Sequence, residues 1–137
     1  MKTAFLFSGQ GAQYVGMGKE FYENFECARN IFDEADKALG FSIKDICFEN
    51  EEELNKTENT QPAILTMSIA ALKILEEKGI KADYLAGLSL GEYSAYVASG
   101  VFNFNDAVQL VKKRGRFMTE AVPEGIGSMY ALSLIHI

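Results

Sequence analysis

The sequence predicts an α/β protein in which a parallel sheet is flanked by helices. Two observations carry that expectation: short apolar runs that end in glycine-bearing turns, and helix-period segments that alternate with them. A third bounds it. With 137 residues, 48% of them hydrophobic and 23% charged, the chain has the length and composition of one globular domain with one core.

The first predicted strand is Thr3 to Phe7, an apolar run that feeds the tight loop Ser8-Gly9-Gln10-Gly11. Apolar residues then recur at helical spacing from Gly18 to Leu39 (Phe21, Phe25, Ala28, Ile31, Phe32, Ala35, Leu39), and Gly40 supplies a C-terminal cap. Residues 49–60 are polar and acidic and read as a helix end and a loop. Asn59 or Thr60 caps the next helix, which carries Pro62 in its first turn and runs to about Lys78. It is apolar nearly all round as far as Lys73, which predicts a buried helix. A second strand follows at Asp83 to Ala86, then a helix of small residues to about Ser99. Asn103 or Asn105 caps a last helix, from about Asp106 to Ala121.

Composition also removes some function classes. A net charge of -6 argues against non-specific nucleic-acid binding, which needs a broad basic surface. Cys27 and Cys47 stand alone without metal-ligand spacing, so neither a zinc site nor a disulfide framework is expected and both thiols read as buried and reduced. The apolar run at the N-terminus is too short for a signal peptide and nothing approaches a membrane span, which makes the cytoplasm the expected location.

The strongest chemical signal is Gly87-Leu88-Ser89-Leu90-Gly91, a G-x-S-x-G set between a predicted strand and a predicted helix. A serine on so sharp a turn has a strained backbone, and the flanking glycines let neighbouring chain pass closely. Its hydroxyl is then presented at a helix N-terminus, where the dipole and the Leu90 N–H favour a developing negative charge. The glycine-rich loop after the first strand is not a nucleotide loop. Met17 stands where a Walker sequence needs lysine, and Tyr14 stands where a dinucleotide fingerprint needs glycine. It serves either as a plain turn or to bring the Gln10 N–H toward the serine as a second oxyanion donor.

In the last helix, Ala107, Val111, Arg114, Met118 and Ala121 fall on one stripe, with Lys112, Lys113 and Arg116 opposite. A guanidinium among apolar residues needs an anion. Either an acidic side chain of the protein or the carboxylate of a substrate would serve, and the nearby serine motif makes the second proposal more specific.

Taken in order, these elements resemble the malonyl-CoA:acyl-carrier-protein transacylases and the related acyltransferase domains of polyketide synthases. The matching stretches are Phe7 to Gln13, Asn59 to Ala63, Gly87 to Ala95, Arg114-Gly115 with Phe117-Met118, and Glu120 to Gly125. The resemblance implies an α/β-hydrolase-like acyltransferase core with a small ferredoxin-like subdomain to follow. It implies Ser89 as the acylated nucleophile, Gln10 and Leu90 as backbone oxyanion donors, Arg114 as the partner of the malonyl carboxylate and Gln61 in the site lining. Malonyl-CoA would be the donor and the phosphopantetheine thiol of acyl carrier protein the acceptor, with no permanently bound cofactor, no metal, and neither nucleic acid nor membrane as partner.

There are departures. Leu88 stands where the family usually has histidine, and Ser8 where it usually has proline. The family's general-base histidine lies in a later segment, and the one histidine here, His136, does not continue the pattern. Residues 1–124 therefore read as the N-terminal part of the acyltransferase α/β domain, 125–131 as the first strand of the small subdomain, and 132–137 as a non-native tail. So short a chain is expected to expose apolar surface and to be poorly soluble or inactive alone. Two other readings remain: a serine hydrolase with the same elbow, and an inactive fragment that binds the carrier protein.

Overall fold

Two strands, β1 (Ala4–Phe7) and β2 (Tyr84–Gly87), lie side by side in parallel, with Ala4 opposite Tyr84 and Phe7 opposite Gly87. The computed structural model describes residues 2–122 and 126–127; the expected strand at 125–131 and the tail with His136 fall almost wholly outside them. Between the strands run α1 (Lys19–Asn24), α2 (Glu26–Leu39), α3 (Ile43–Glu49), α4 (Glu51–Asn55) and α5 (Thr57–Glu77). After β2 come α6 (Leu90–Ala98) and α7 (Phe104–Ala121). The architecture is thus helix-rich around a small parallel sheet.

The sheet is covered on one side only. Phe5, Phe7, Leu85 and Gly87 are half-buried toward the helices, while Ala4, Leu6, Tyr84 and Ala86 are exposed on the other face. Exposure is high there, 78% for Leu6 and 62% for Tyr84, although parallel sheets normally bury both faces. The expected apolar surface is therefore present.

The core lies in the helical layer around α5, whose residues Ala63, Leu65, Thr66, Ile69 and Ala70 are fully buried. Burial on several sides is what its continuous apolar sequence predicts. The helix starts earlier than expected, at Thr57, so Asn59 and Thr60 are inside it rather than capping it. Their side chains reach back to the preceding helix: Asn59 Nδ2 donates to Glu53 O at 3.0 Å and Thr60 Oγ1 to Leu54 O at 2.5 Å.

Two further boundaries differ from expectation. The periodic segment before Gly40 is two helices, because Phe25 is extended (φ -128, ψ 119). Arg29 satisfies the carbonyls at that break, its Nε donating to Tyr22 O at 3.2 Å and its Nη2 to Glu23 O at 3.1 Å. The acidic stretch expected as a helix end and a loop contains a helix of its own, α4, capped by Asn50, whose side chain accepts from Glu53 N at 3.1 Å. Glu51, Glu52 and Glu53 fill its first turn, where carboxylates complement the helix dipole.

Both cysteines are free; Cys47 is buried and Cys27 only half-buried. Burial pushes the Cys47 thiol up to about 12, so it stays protonated at neutral pH. Among the described residues no helix is long and apolar enough to cross a membrane.

Candidate active site

The turn from β2 into α6 is an elbow. Ser89 has φ 52 and ψ -103, the one positive φ outside glycine among the described residues. Such a conformation is costly and persists only where the surroundings impose it. Here they do. A Cβ on Gly91 would lie 2.1 Å from Phe7 O, and one on Gly87 would lie 2.1 Å from the Gly91 carbonyl. The first turn of α6 therefore sits against the end of β1, and only glycine fits on either side of the serine. Ser89 is exposed and Leu90 is the first residue of α6, so its amide belongs to the set that a helix start leaves without an intrahelical partner.

Arg114 comes from α7 and meets the serine directly. Its Nη2 donates to Ser89 Oγ at 3.1 Å and its Nη1 to Gln61 Oε1 at 2.8 Å. These bonds use one N–H from each terminal nitrogen of a group that has five donors. The guanidinium also lies over Tyr93, with Cζ 5.5 Å from the ring centroid. The expected stripe on α7 is only partly right. The buried residues are Phe104, Ala107, Val108, Val111 and Gly115, with Arg114 and Met118 half-buried beside them and Ala121 exposed. Arg114 thus borders the core instead of entering it.

Gly115 makes that placement possible, since a Cβ there would fall 2.7 Å from Glu58 Cα and Thr57 O. With no side chain at 115, α7 rests against the start of α5 and Arg114 reaches Gln61. Gln61 is fully buried, and its Nε2 lies 3.2 Å from Met118 Sδ and 3.5 Å from Gln10 Oε1. Gln10 is anchored in turn by Thr57, whose Oγ1 accepts from Gln10 Nε2 at 3.1 Å. Gly9, just before it, packs against Leu88, where a Cβ would sit 2.8 Å from the carbonyl oxygen. Ser89, Leu90, Arg114, Gln61 and Gln10 are therefore gathered in one place.

Among the described residues Arg114 forms no salt bridge; its partners are Ser89, Gln61 and the Tyr93 ring. Lys112, expected on the solvated side, is half-buried, with Nζ 2.8 Å from Asn59 Oδ1, 3.5 Å from Glu58 Oε2 and 5.1 Å from the Phe41 ring centroid. Arg116 pairs with Glu120 at 3.1 Å. Sequence reasoning missed Tyr93 and Thr57. The signal for Tyr93 was its position four residues after the serine, one helical turn along the same face; for Thr57 there was none, because the start of α5 was misplaced.

The profile of the acyl transferase domain matches residues 4–137. The chain belongs to the acyl transferase domain family. Among curated acyl transferases, the malonyl CoA-acyl carrier protein transacylase of Bacillus subtilis (strain 168) is 55% identical over 132 residues, which are 96% of this chain and 42% of that protein. The enzyme of the same name from Salmonella typhimurium (strain LT2) is 51% identical over 131 residues. The crystal structure of the Clostridium perfringens malonyl CoA-acyl carrier protein transacylase is 56% identical and superposes with a TM-score of 0.87 over 91% of this chain and 40% of that one. A malonyl-transacylase solved in complex with a type II polyketide acyl-carrier protein superposes with the same TM-score, 0.87, at 44% identity over 91% of this chain and 41% of that one. The chain spans about two fifths of the length of the curated relatives it matches.

Proposed function

We propose that the protein carrying this chain is a malonyl-CoA:acyl-carrier-protein transacylase of fatty-acid synthesis. The observation that carries the proposal is the Arg114 guanidinium 3.1 Å from the hydroxyl of an elbow serine. A malonyl group has a carboxylate two bonds from its thioester carbonyl. When Ser89 Oγ approaches that carbonyl, the carboxylate falls within reach of the remaining Arg114 donors, and Gln61 and Tyr93 hold the guanidinium for a fork-like pairing.

In this reading Ser89 Oγ adds to the thioester carbonyl and the oxyanion receives the N–H groups of Leu90 and Gln10. The C–S bond then breaks, coenzyme A leaves as a thiol, and malonyl-Ser89 remains. The phosphopantetheine thiol of acyl carrier protein attacks that ester, forms the new thioester and returns the serine hydroxyl. The base that takes and returns the proton is not among the residues assigned here, because the family's histidine lies beyond the matched motifs. Coenzyme A and the carrier protein are substrates; the proposal needs no resident cofactor or metal.

The same reading makes residues 1–124 the first part of an α/β-hydrolase-like core in a cytoplasmic enzyme. The test is intact mass of the protein at its full natural length after brief exposure to malonyl-CoA, followed by a chase with holo carrier protein or buffer. A malonyl adduct is expected that is absent in Ser89→Ala and passes to the carrier thiol faster than to water. Equal loss to water would favour a serine hydrolase with the same elbow, and no adduct in folded protein would overturn the acyl-serine reading.

A further inference from the structure

Four side chains and one backbone amide make a further set of bonds that tie the Gly9–Gln13 loop down, apart from the serine–arginine pair. Gln13 Oε1 accepts from the Gly11 N–H at 2.8 Å, and Gln13 Nε2 donates to Asn55 Oδ1 at 3.1 Å. Gln10 Nε2 donates to Thr57 Oγ1 at 3.1 Å. The polarity of this chain of bonds is fixed. A backbone N–H can only donate, so the Gln13 amide must turn its oxygen to Gly11, and its nitrogen then requires an acceptor, which Asn55 supplies.

The loop needs such ties. It has no ladder or helix bonds of its own, and Gly11 adopts φ +106, a conformation open to glycine, with the Gln13 side chain bonded to its amide. The ties run to residues 55 and 57, at the junction of α4 and α5. That junction is also where Gly115 seats α7, and Gln61, one turn further along α5, holds Arg114. One stretch of chain, 55–61, thus carries both the loop that bears the Gln10 amide and the arginine that faces the serine.

We infer that Gln13 and Asn55 are positioning residues: their hydrogen-bonded tether fixes the Gly9–Gln13 loop to the α4–α5 junction and thereby sets the Gln10 amide relative to Ser89. This rests on the acyl-serine reading above. The tether touches no substrate, so its loss should slow formation of the acyl-enzyme and leave substrate affinity alone, because a misplaced donor loses transition-state stabilisation and not ground-state binding.

The experiment compares Gln13→Ala, Gln13→Glu, Asn55→Asp and the double variant Gln13→Glu/Asn55→Asp in the protein at its full natural length, with malonyl-CoA as probe. Gln13→Glu can still accept from Gly11 and, once the Asn55 amide turns, from its nitrogen; Asn55→Asp still accepts from Gln13. Both should rescue the rate lost in Gln13→Ala. The double variant sets two carboxylates against each other and should lose it again. The expected result is an acylation rate about tenfold lower in Gln13→Ala and in the double variant, with KM and melting temperature unchanged. A double variant no worse than its singles, or a loss confined to KM, would overturn the inference. If even the parent forms no malonyl-Ser89, the acyl-serine reading fails separately, and exchange of the Gly11 amide hydrogen decides: faster exchange in Gln13→Ala supports the tether, and unchanged exchange overturns it.

Discussion

The sheet half and the helical half of this molecule are built to opposite rules. In the helical half, α5 is enclosed by its neighbours and even its polar residues Asn59, Thr60 and Gln61 are buried and bonded. In the sheet half, two short strands leave Leu6, Tyr84 and Ala86 in solvent, and Leu88 beside the serine is 74% exposed. The site joins the two: Ser89 comes from the thin half and Arg114 from the thick one. The core belongs to the helices, whereas the strain belongs to the elbow, where backbone contacts leave no room for adjustment.

Substitutions in each half should show this difference. Phe32→Ala removes a fully buried ring from the helical core and should cost about 3–5 kcal/mol, read as a fall in the urea midpoint. Gly91→Ala adds a methyl against Phe7 O and should cost about 3 kcal/mol, since neither backbone can yield. A cost near zero there would mean that the elbow is not fixed by β1. Gln61→Leu strips a buried acceptor from Arg114 and should cost about 1–3 kcal/mol while weakening any preference for acyl groups with a carboxylate. Leu6→Gln, on the bare sheet face, should change stability by no more than about 0.5 kcal/mol but reduce self-association in sedimentation.

The smallest effect concerns pH. Asp83 ties the two strands at their start, accepting from Thr3 N at 2.8 Å and from Lys2 Nζ at 3.0 Å, and these donors hold its carboxyl below the usual range. A depressed pKa adds stability above the unfolded value, about 3.9, that is lost as pH falls through the folded one. Asp83→Asn should therefore lower stability slightly at pH 7, flatten the shallow acid slope below about pH 4, and change little once the carboxyl is protonated.

The same contrast explains what could be read beforehand. Both strands, the buried helix and the elbow were legible because each leaves a local mark: an apolar run, a full-circle apolar pattern, paired glycines. Of the two caps left open for the last helix, Asn103 and Asn105, the structure uses Asn103, so that α7 starts at Phe104. The break at Phe25 was hidden because the apolar period runs through it and the carbonyls are capped from Arg29, in the next helix. The start of α5 was misread because Asn59 and Thr60 look like caps in sequence, while their side chains bond to α4. Arg114 was found by its place on an apolar stripe, but its Gln61 contact depends on how α7 meets α5 at Gly115 and its Tyr93 contact on how α7 meets α6, which no local pattern encodes.

The central claim is that Arg114 is set to read a carboxylate on a group bound for Ser89. The most direct measurement gives the protein at its full natural length malonyl-CoA and acetyl-CoA together at equal concentration. Intact mass then follows both adducts in the parent, Arg114→Ala and Ser89→Ala. The account expects mainly malonyl adduct in the parent and none in Ser89→Ala. In Arg114→Ala the malonyl preference should collapse by about 100-fold or more, with the acetyl rate largely kept. An Arg114→Ala protein that still chose malonyl over acetyl as the parent does would contradict it.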